Sequence, residues 1–479
     1  LAVQFFSFDF FNLKLYPLKK LLILFLVFYT SYSEAQPIDQ VFNMAFKKFE
    51  GDPTFQHATI SLYLVNTTTG KPVTEVNRNV GVAPASCQKV ITASTAFELL
   101  GHDYKYKTTL GYTGEIKDGV LHGDIIIKGS GDPTLGSWRY DQTNEGNIIT
   151  TFKNAISQAG IREITGHVYA DESLWNDEAT PNGWVWQDIG NYYGAGARAL
   201  NWRENQYDLY LKSGQNIGDP VEIAGTNPSF VYGLNLKSEV ASGAKGSGDN
   251  NYIYIPLDDS FSHVRGTTPV NENHFTISGA MPRPATQLAL TMEGALKNES
   301  LENIAKDYPT PNNLKQVKVF YTYTSPVLDS IIFHFLRRSI NLYGEALIKT
   351  LAYNFTKVGN TDSGVNVIHN FWKNHGIEPY AINIVDGSGL SPSNRVTTQA
   401  LVTVMEYAKK QKWFPSFYDA LPTISGIKMK SGSINGVISY TGYINGKDNN
   451  QYTFSFVVNN YDGSGNEVRK KMWELLGLL

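Results

Sequence analysis

The stretch ATISLYLVN (58–66) alternates apolar and polar positions and is rich in β-branched residues, the pattern of a half-buried strand. Gly70 marks a turn and VTEVN (73–77) returns, so the two predict a hairpin. The period then changes. SCQKVITASTAFELL (86–100) predicts a helix, with Pro84 just before it and Gly101 just after it as boundary signals. From Tyr104 to about Ser278 short strand-like runs recur between Gly, Asn and Asp turns: YKTTLGYTG, GDIIIKG, ITGHVYA, QYDLYLK, NYIYIPL and HFTIS. They predict an all-β stretch in which SGAKGSGDNN (242–251) is an exposed loop. Helical texture resumes over 325–355 and 363–376, the second ended by Gly376. MKSGSINGVISYTGYI (429–444) and QYTFSFVVNN (451–460) predict a strand pair, and EVRKKMWELL (467–476) a last helix.

Helices and strands of one kind therefore bracket a β-rich middle. The fold class expected is α/β in the α+β sense: a sandwich of an antiparallel sheet flanked by helices, interrupted by a β-rich insertion of one or two domains. Residues 36–101 and 312–479 form one discontinuous domain. Residues 102–170 and 276–311 form a β-rich inserted domain, and 171–275 a second inserted domain. A chain of 479 residues has room for this division.

Composition narrows the partners. The formal net charge of −3 gives no basic excess to grip a phosphate backbone, so nucleic acid is not expected. One cysteine allows no internal disulfide. Lys19-Lys20, the apolar run LLILFLVFY (21–29) and a small-residue site at Ser33-Glu34-Ala35 predict a secretory leader over residues 1–35, hence a periplasmic, cell-envelope protein. Residues 1–17, which start at Leu1, are assigned no fold, and a misplaced start is the expectation there.

The chemistry centres on PASCQK (84–89). Residues three apart share a helix face, so Ser86 and Lys89 point the same way while Cys87 points well around. A serine hydroxyl attacks only when a neighbouring base takes its proton, and a lysine serves if burial or nearby cations hold its pKa down. A helix start also favours developing negative charge. Ser-x-x-Lys recurs at Ser242–Lys245 and Ser425–Lys428, neither at a helix start. Ser339-Ile340-Asn341 offers a hydroxyl and an amide. Lys430-Ser431-Gly432 offers a cation and a hydroxyl at a strand edge, with no side chain at Gly432 to block an approaching substrate backbone. Cys87 is expected to be a small packing residue. Asp386-Gly387-Ser388 is expected to form a turn that caps the helix starting near Thr398, with Asp386 structural. His369 and His375 lack a metal-ligand pattern, and neither metal nor cofactor is expected.

PASCQKV, RRSINLYGEAL and KMKSGSINGV, in this order and with a long β-rich insertion after the first, resemble the penicillin-binding proteins. The chain is most similar to the D-alanyl-D-alanine carboxypeptidase/endopeptidase family, the class C low-molecular-mass penicillin-binding proteins. GDIIIKGSGDPTL (123–135), ISGAMP (277–282) and IVDGSGLSPSNRVT (384–397) add to the match. The resemblance implies a penicillin-binding transpeptidase-like fold. It implies that Ser86 is acylated with Lys89 as base and that Ser339 relays protons. Asn341 would bind the substrate's peptide group, and Lys430 and Ser431 its terminal carboxylate. Backbone N–H groups of Ser86 and Ser433 would form the oxyanion hole. Ser431 stands where Thr is more usual, and Ile340 where an acidic residue often stands. The implied substrates are peptidoglycan stem peptides ending in D-Ala-D-Ala, with β-lactams as inhibitors and peripheral membrane or wall association left open. Two rivals remain: a β-lactamase or esterase on the same scaffold, and a non-catalytic cell-wall-binding protein. Carboxypeptidase and endopeptidase activity are not separable from the sequence.

Overall fold

The computed structural model describes residues 38–257, 260–310 and 316–479. The leader expected over 1–35 lies outside the described residues. The largest sheet has six strands in the order Thr423–Ile424, Ile427–Ile434, Val437–Asn445, Gln451–Asn459, Thr59–Asn66, Pro72–Val76, and every neighbouring pair is antiparallel. Thr59 pairs with Asn459 and Asn66 with Tyr452, so distant parts of the chain share one sheet. Val437–Asn445 and Gln451–Asn459 are buried along nearly their whole length, which requires cover on both faces. On one face, Phe42 and Phe46 of the helix Ile38–Glu50 and Val468 and Met472 of the helix Gly465–Leu476 pack on Phe454 and Phe456. On the other, Thr398–Ala408 lies against the strands, and Lys89–Leu100 and Asn341–Thr356 pack behind it. Asn341–Thr356 is buried on all sides from Asn341 to Ala352.

Two corrections follow within this sheet. The strand pair expected over 429–460 is three strands, because Asn435-Gly436 makes a hairpin between Ile427–Ile434 and Val437–Asn445. The helix expected over 86–100 begins as a 3₁₀ turn, Ala85–Gln88, before the α-helix Lys89–Leu100, so Ser86 precedes the α-helix. Gly101, at φ 86°, ends it.

The inserted part holds four smaller sheets. One has the order Lys318–Thr324, Lys107–Tyr112, Ile125–Lys128, Val168–Asp171, with Ile148 and Phe152 of the helix Glu145–Gln158 and Leu288 and Met292 of the helix Pro284–Lys297 in its core. The stretch 104–278 is thus not all β. In Glu145–Gln158 the apolar residues Ile148, Phe152, Ala155 and Ile156 recur at helical spacing, and Asn144 caps the first turn. Two three-stranded sheets, around Gln206–Lys212 and Ser262–Pro269, share a second core. Two expected boundaries shift. Lys318–Thr324, placed with the outer domain, pairs with Lys107–Tyr112. Phe275–Ala280, which straddles the boundary at 276, pairs along its length with Gln206–Lys212.

Candidate active site

From Val82 to Phe97 Ser86 is the one residue that is not buried. The turn that presents it is tightly fastened. Ala85 holds φ 46°, a left-handed conformation uncommon for a residue with a Cβ. The Ser439 hydroxyl donates to the Pro84 carbonyl at 2.6 Å, and the Cys87 thiol to the Lys430 carbonyl at 3.2 Å. Cys87 is fully buried, which pushes its thiol up and leaves little thiolate, so its observed part is to fasten the turn. Gly432 is also part of the fastening. A Cβ there would stand 2.7 Å from Ser86 N, 2.8 Å from the Pro84 carbonyl and 2.4 Å from Ser439 Oγ. Its missing side chain makes room for the nucleophile's own turn, which corrects the expectation that it makes room for a substrate.

Lys89 is 0% exposed. Its Nζ lies 3.0 Å from Ser86 Oγ, 2.7 Å from Asn341 Oδ1 and 2.6 Å from the Ser388 carbonyl. The last two atoms only accept. When Lys89 is neutral its two N–H bonds serve them, and its lone pair faces the Ser86 hydroxyl. Burial first, then the positive charge of Lys430, hold Lys89 well below the ordinary lysine value, against the opposing pull of Asp386 and Glu345. That is the condition for a lysine base.

Ser86, Ser339, Asn341 and Ser433 open onto one cleft of about 840 Å³. Ser339 sits at φ 58° between the helices Leu328–Arg337 and Asn341–Thr356. Asn341 is spanned by two partners, since its Oδ1 accepts from Lys89 and its Nδ2 donates to the Tyr193 carbonyl at 2.8 Å. Ile340 packs against the helical core. Lys430 is buried behind the strand, its Nζ 2.6 Å from the Ser431 carbonyl, and burial brings it down to about 8. Ser431 alternates with Ser433 and so shares its strand face. Ser433 Oγ accepts from Arg469 at 3.0 Å. The opposite wall, with Asp188, Tyr192, Tyr193 and Tyr252, comes from the insertion.

Behind the base lies the turn 386–391. Asp386 accepts from Gln88 Nε2, Trp184 Nε1, Gly389 N, Ser391 N and Asn394 Nδ2 at 2.7–3.1 Å, a structural role as expected. The turn does not cap the helix Thr398–Ala408; the Thr397 hydroxyl does, accepting from Ala400 N. Trp184, Asp188 and Glu345 were not singled out from the sequence. Glu345 had a signal: it is a charge inside an apolar helical run, one turn beyond Asn341. Trp184 had none, because its partner is 202 residues away.

A family model described as the D-Ala-D-Ala carboxypeptidase 3 (S13) family matches residues 43–477. The chain belongs to the S13 family. It is 24% identical over 448 residues to the D-alanyl-D-alanine carboxypeptidase of Actinomadura sp. (strain R39), covering 86% of this chain and 80% of that protein. It is 23% identical over 423 residues to D-alanyl-D-alanine carboxypeptidase DacB of Haemophilus influenzae, covering 83% and 85%. The crystal structure of penicillin-binding protein 4 (dacB) from Haemophilus influenzae superposes with a TM-score of 0.71 at 20% identity, covering 88% of this chain and 95% of that one. A second structure of that protein is complexed with a β-lactam and gives a TM-score of 0.66. The fold of this S13 member is therefore the penicillin-binding fold that the motifs implied.

Proposed function

We propose that the chain is a serine-type D-Ala-D-Ala carboxypeptidase of the cell envelope, exported by its leader and acting on peptidoglycan stem peptides. The observation that carries this is the buried Lys89 amine 3.0 Å from the half-buried Ser86 hydroxyl. Ser86 Oγ attacks the carbonyl between two D-alanines while its proton passes to Lys89. The N–H groups of Ser86 and Ser433 receive the oxyanion. The C–N bond breaks, the leaving amine of D-Ala takes a proton by way of Ser339, and an ester on Ser86 remains. Water then attacks the ester, Lys89 again accepts a proton, and Ser86 is restored. Asn341 orients the peptide group. Ser431 meets the terminal carboxylate, and Lys430 adds its charge from beneath the strand. The same steps cleave a D-alanyl cross-link, so endopeptidase activity belongs to the proposal. β-Lactams are proposed to acylate Ser86, in keeping with the β-lactam complex of the Haemophilus protein.

The test is intact-mass spectrometry of the protein with penicillin, beside Ser86→Ala and Cys87→Ala, followed by D-Ala release from a pentapeptide. A stable adduct in wild type and Cys87→Ala, absent in Ser86→Ala, with D-Ala released, supports the proposal. Rapid penicillin hydrolysis without an adduct points to a β-lactamase. An inert protein that still binds peptidoglycan points to a non-catalytic wall binder.

A further inference from the structure

Two buried carboxyls flank the turn that holds the base. Asp386 and Glu345 are both 0% exposed. The 387–389 segment follows Asp386 directly and meets Glu345 through Gly387 N. Its Ser388 carbonyl meets Lys89 at 2.6 Å, and its Gly387 carbonyl accepts from Thr92 at 2.7 Å. A Cβ on Gly387 would stand 2.3 Å from the Gly344 carbonyl, so the segment rests directly on the Asn341–Thr356 helix. The two carboxyls are supported very unequally. Asp386 receives five donors, which saturates the two oxygens of an acceptor-only carboxylate. Glu345 receives one, Gly387 N, at 3.2 and 3.1 Å from its two oxygens. The Ser388 hydroxyl beside it is buried with no hydrogen-bond partner among the described residues; donating to the carboxylate it draws Glu345 down, so Glu345 has at most two donors against the five of Asp386. Burial penalises both charges and an ionised Asp386 repels a second one on Glu345, so the carboxyl with fewer donors keeps the proton.

We propose that Glu345 is a positioning residue that carries a proton at working pH, bracing the turn that anchors Lys89 without adding a negative charge beside it. The inference rests on the reading of Lys89 as base. The ionisable groups facing Glu345 are Asp386 from the turn, Lys89 from the neighbouring helix with Lys430 behind it, and Lys349 one turn along its own helix. Burial and then Asp386 push Glu345 up to about 8, in the same direction as the hydrogen-bond count. The sign matters for catalysis. An ionised Glu345 stabilises the protonated form of Lys89, which cannot accept the Ser86 proton.

The test has two arms. In protein labelled with ¹³C-glutamate, infrared spectroscopy at pH 7 reads whether a buried glutamate carboxyl is protonated, and the labelled band lost in Glu345→Gln identifies it. This arm needs no catalysis, so it separates failure of this proposal from failure of the functional one. In the second arm, the acid limb of the pH profile for acylation by penicillin is compared between wild type and Glu345→Gln, which mimics the protonated acid. The expected result is a protonated band and an acid limb at the same pH. Absence of any protonated glutamate in wild type overturns the proposal, whether or not the variant folds. So does an acid limb displaced downward by about one pH unit in the variant, because that means the wild-type carboxylate was charged.

Discussion

Trp184 donates its indole N–H to Asp386 Oδ2 at 2.9 Å, and that bond joins the insertion to the turn behind Lys89. Trp184→Phe keeps an aromatic, though smaller, ring and deletes the donor. It is expected to cost about 1–3 kcal/mol of stability, the range for a buried polar group left short of a partner. A several-fold slower acylation by penicillin is expected with it. Thermal unfolding and acylation kinetics check the two effects, and unchanged kinetics would mean that the turn holds its place without the insertion.

Lys89→Arg tests the base. A guanidinium has comparable reach but stays protonated at working pH and so has no lone pair to take the Ser86 proton. Acylation of Ser86 is expected to fall by about 10²–10⁴-fold, the usual worth of a positioned general base. In wild type the rate climbs with pH as Lys89 deprotonates, and because its pKa is held low the climb ends below the ordinary lysine range. The arginine variant is expected to lack that limb.

Lys430, brought down to about 8 by burial, predicts an alkaline effect on binding. In the proposed role it is charged below that pH and attracts a terminal carboxylate; as pH rises through about 8 the charge is lost. KM for a pentapeptide is then expected to rise roughly tenfold, the worth of a charged hydrogen bond. A substrate with an amidated C-terminus shows no such rise. A pH series on both substrates decides it.

Gly432→Ala places a Cβ 2.7 Å from Ser86 N. The neighbours are backbone and a buried serine, which cannot swing away. Overpacking of this kind costs about 1–3 kcal/mol, and the nucleophile's turn is what must move. Loss of penicillin acylation beyond the loss of stability is the expected signature, from calorimetry and adduct formation on the same samples.

The sequence made much of this visible. Alternation located Thr59–Asn66, and spacing paired Ser86 with Lys89, because both signals are local. Glu145–Gln158 was hidden, since its polar Asn and Thr residues blur the helical period within a stretch of short strands. Gly432 was singled out for the wrong reason, because its neighbour in space is Ser86, which lies hundreds of residues earlier in the chain. Much of the support around Asp386 was hidden for the same cause: Gln88 and Trp184 lie 298 and 202 residues before it.

The pairing of Thr59–Asn66 with Gln451–Asn459 also bears on when the protein becomes reactive. Ser86 is made early, yet Gly432, Lys430 and Ser439, which fix its turn, arrive more than three hundred residues later. Contacts so far apart form late and slowly. A nascent chain therefore carries Ser86 with nothing to hold its turn, and truncation before the last strands yields a protein that β-lactams cannot label.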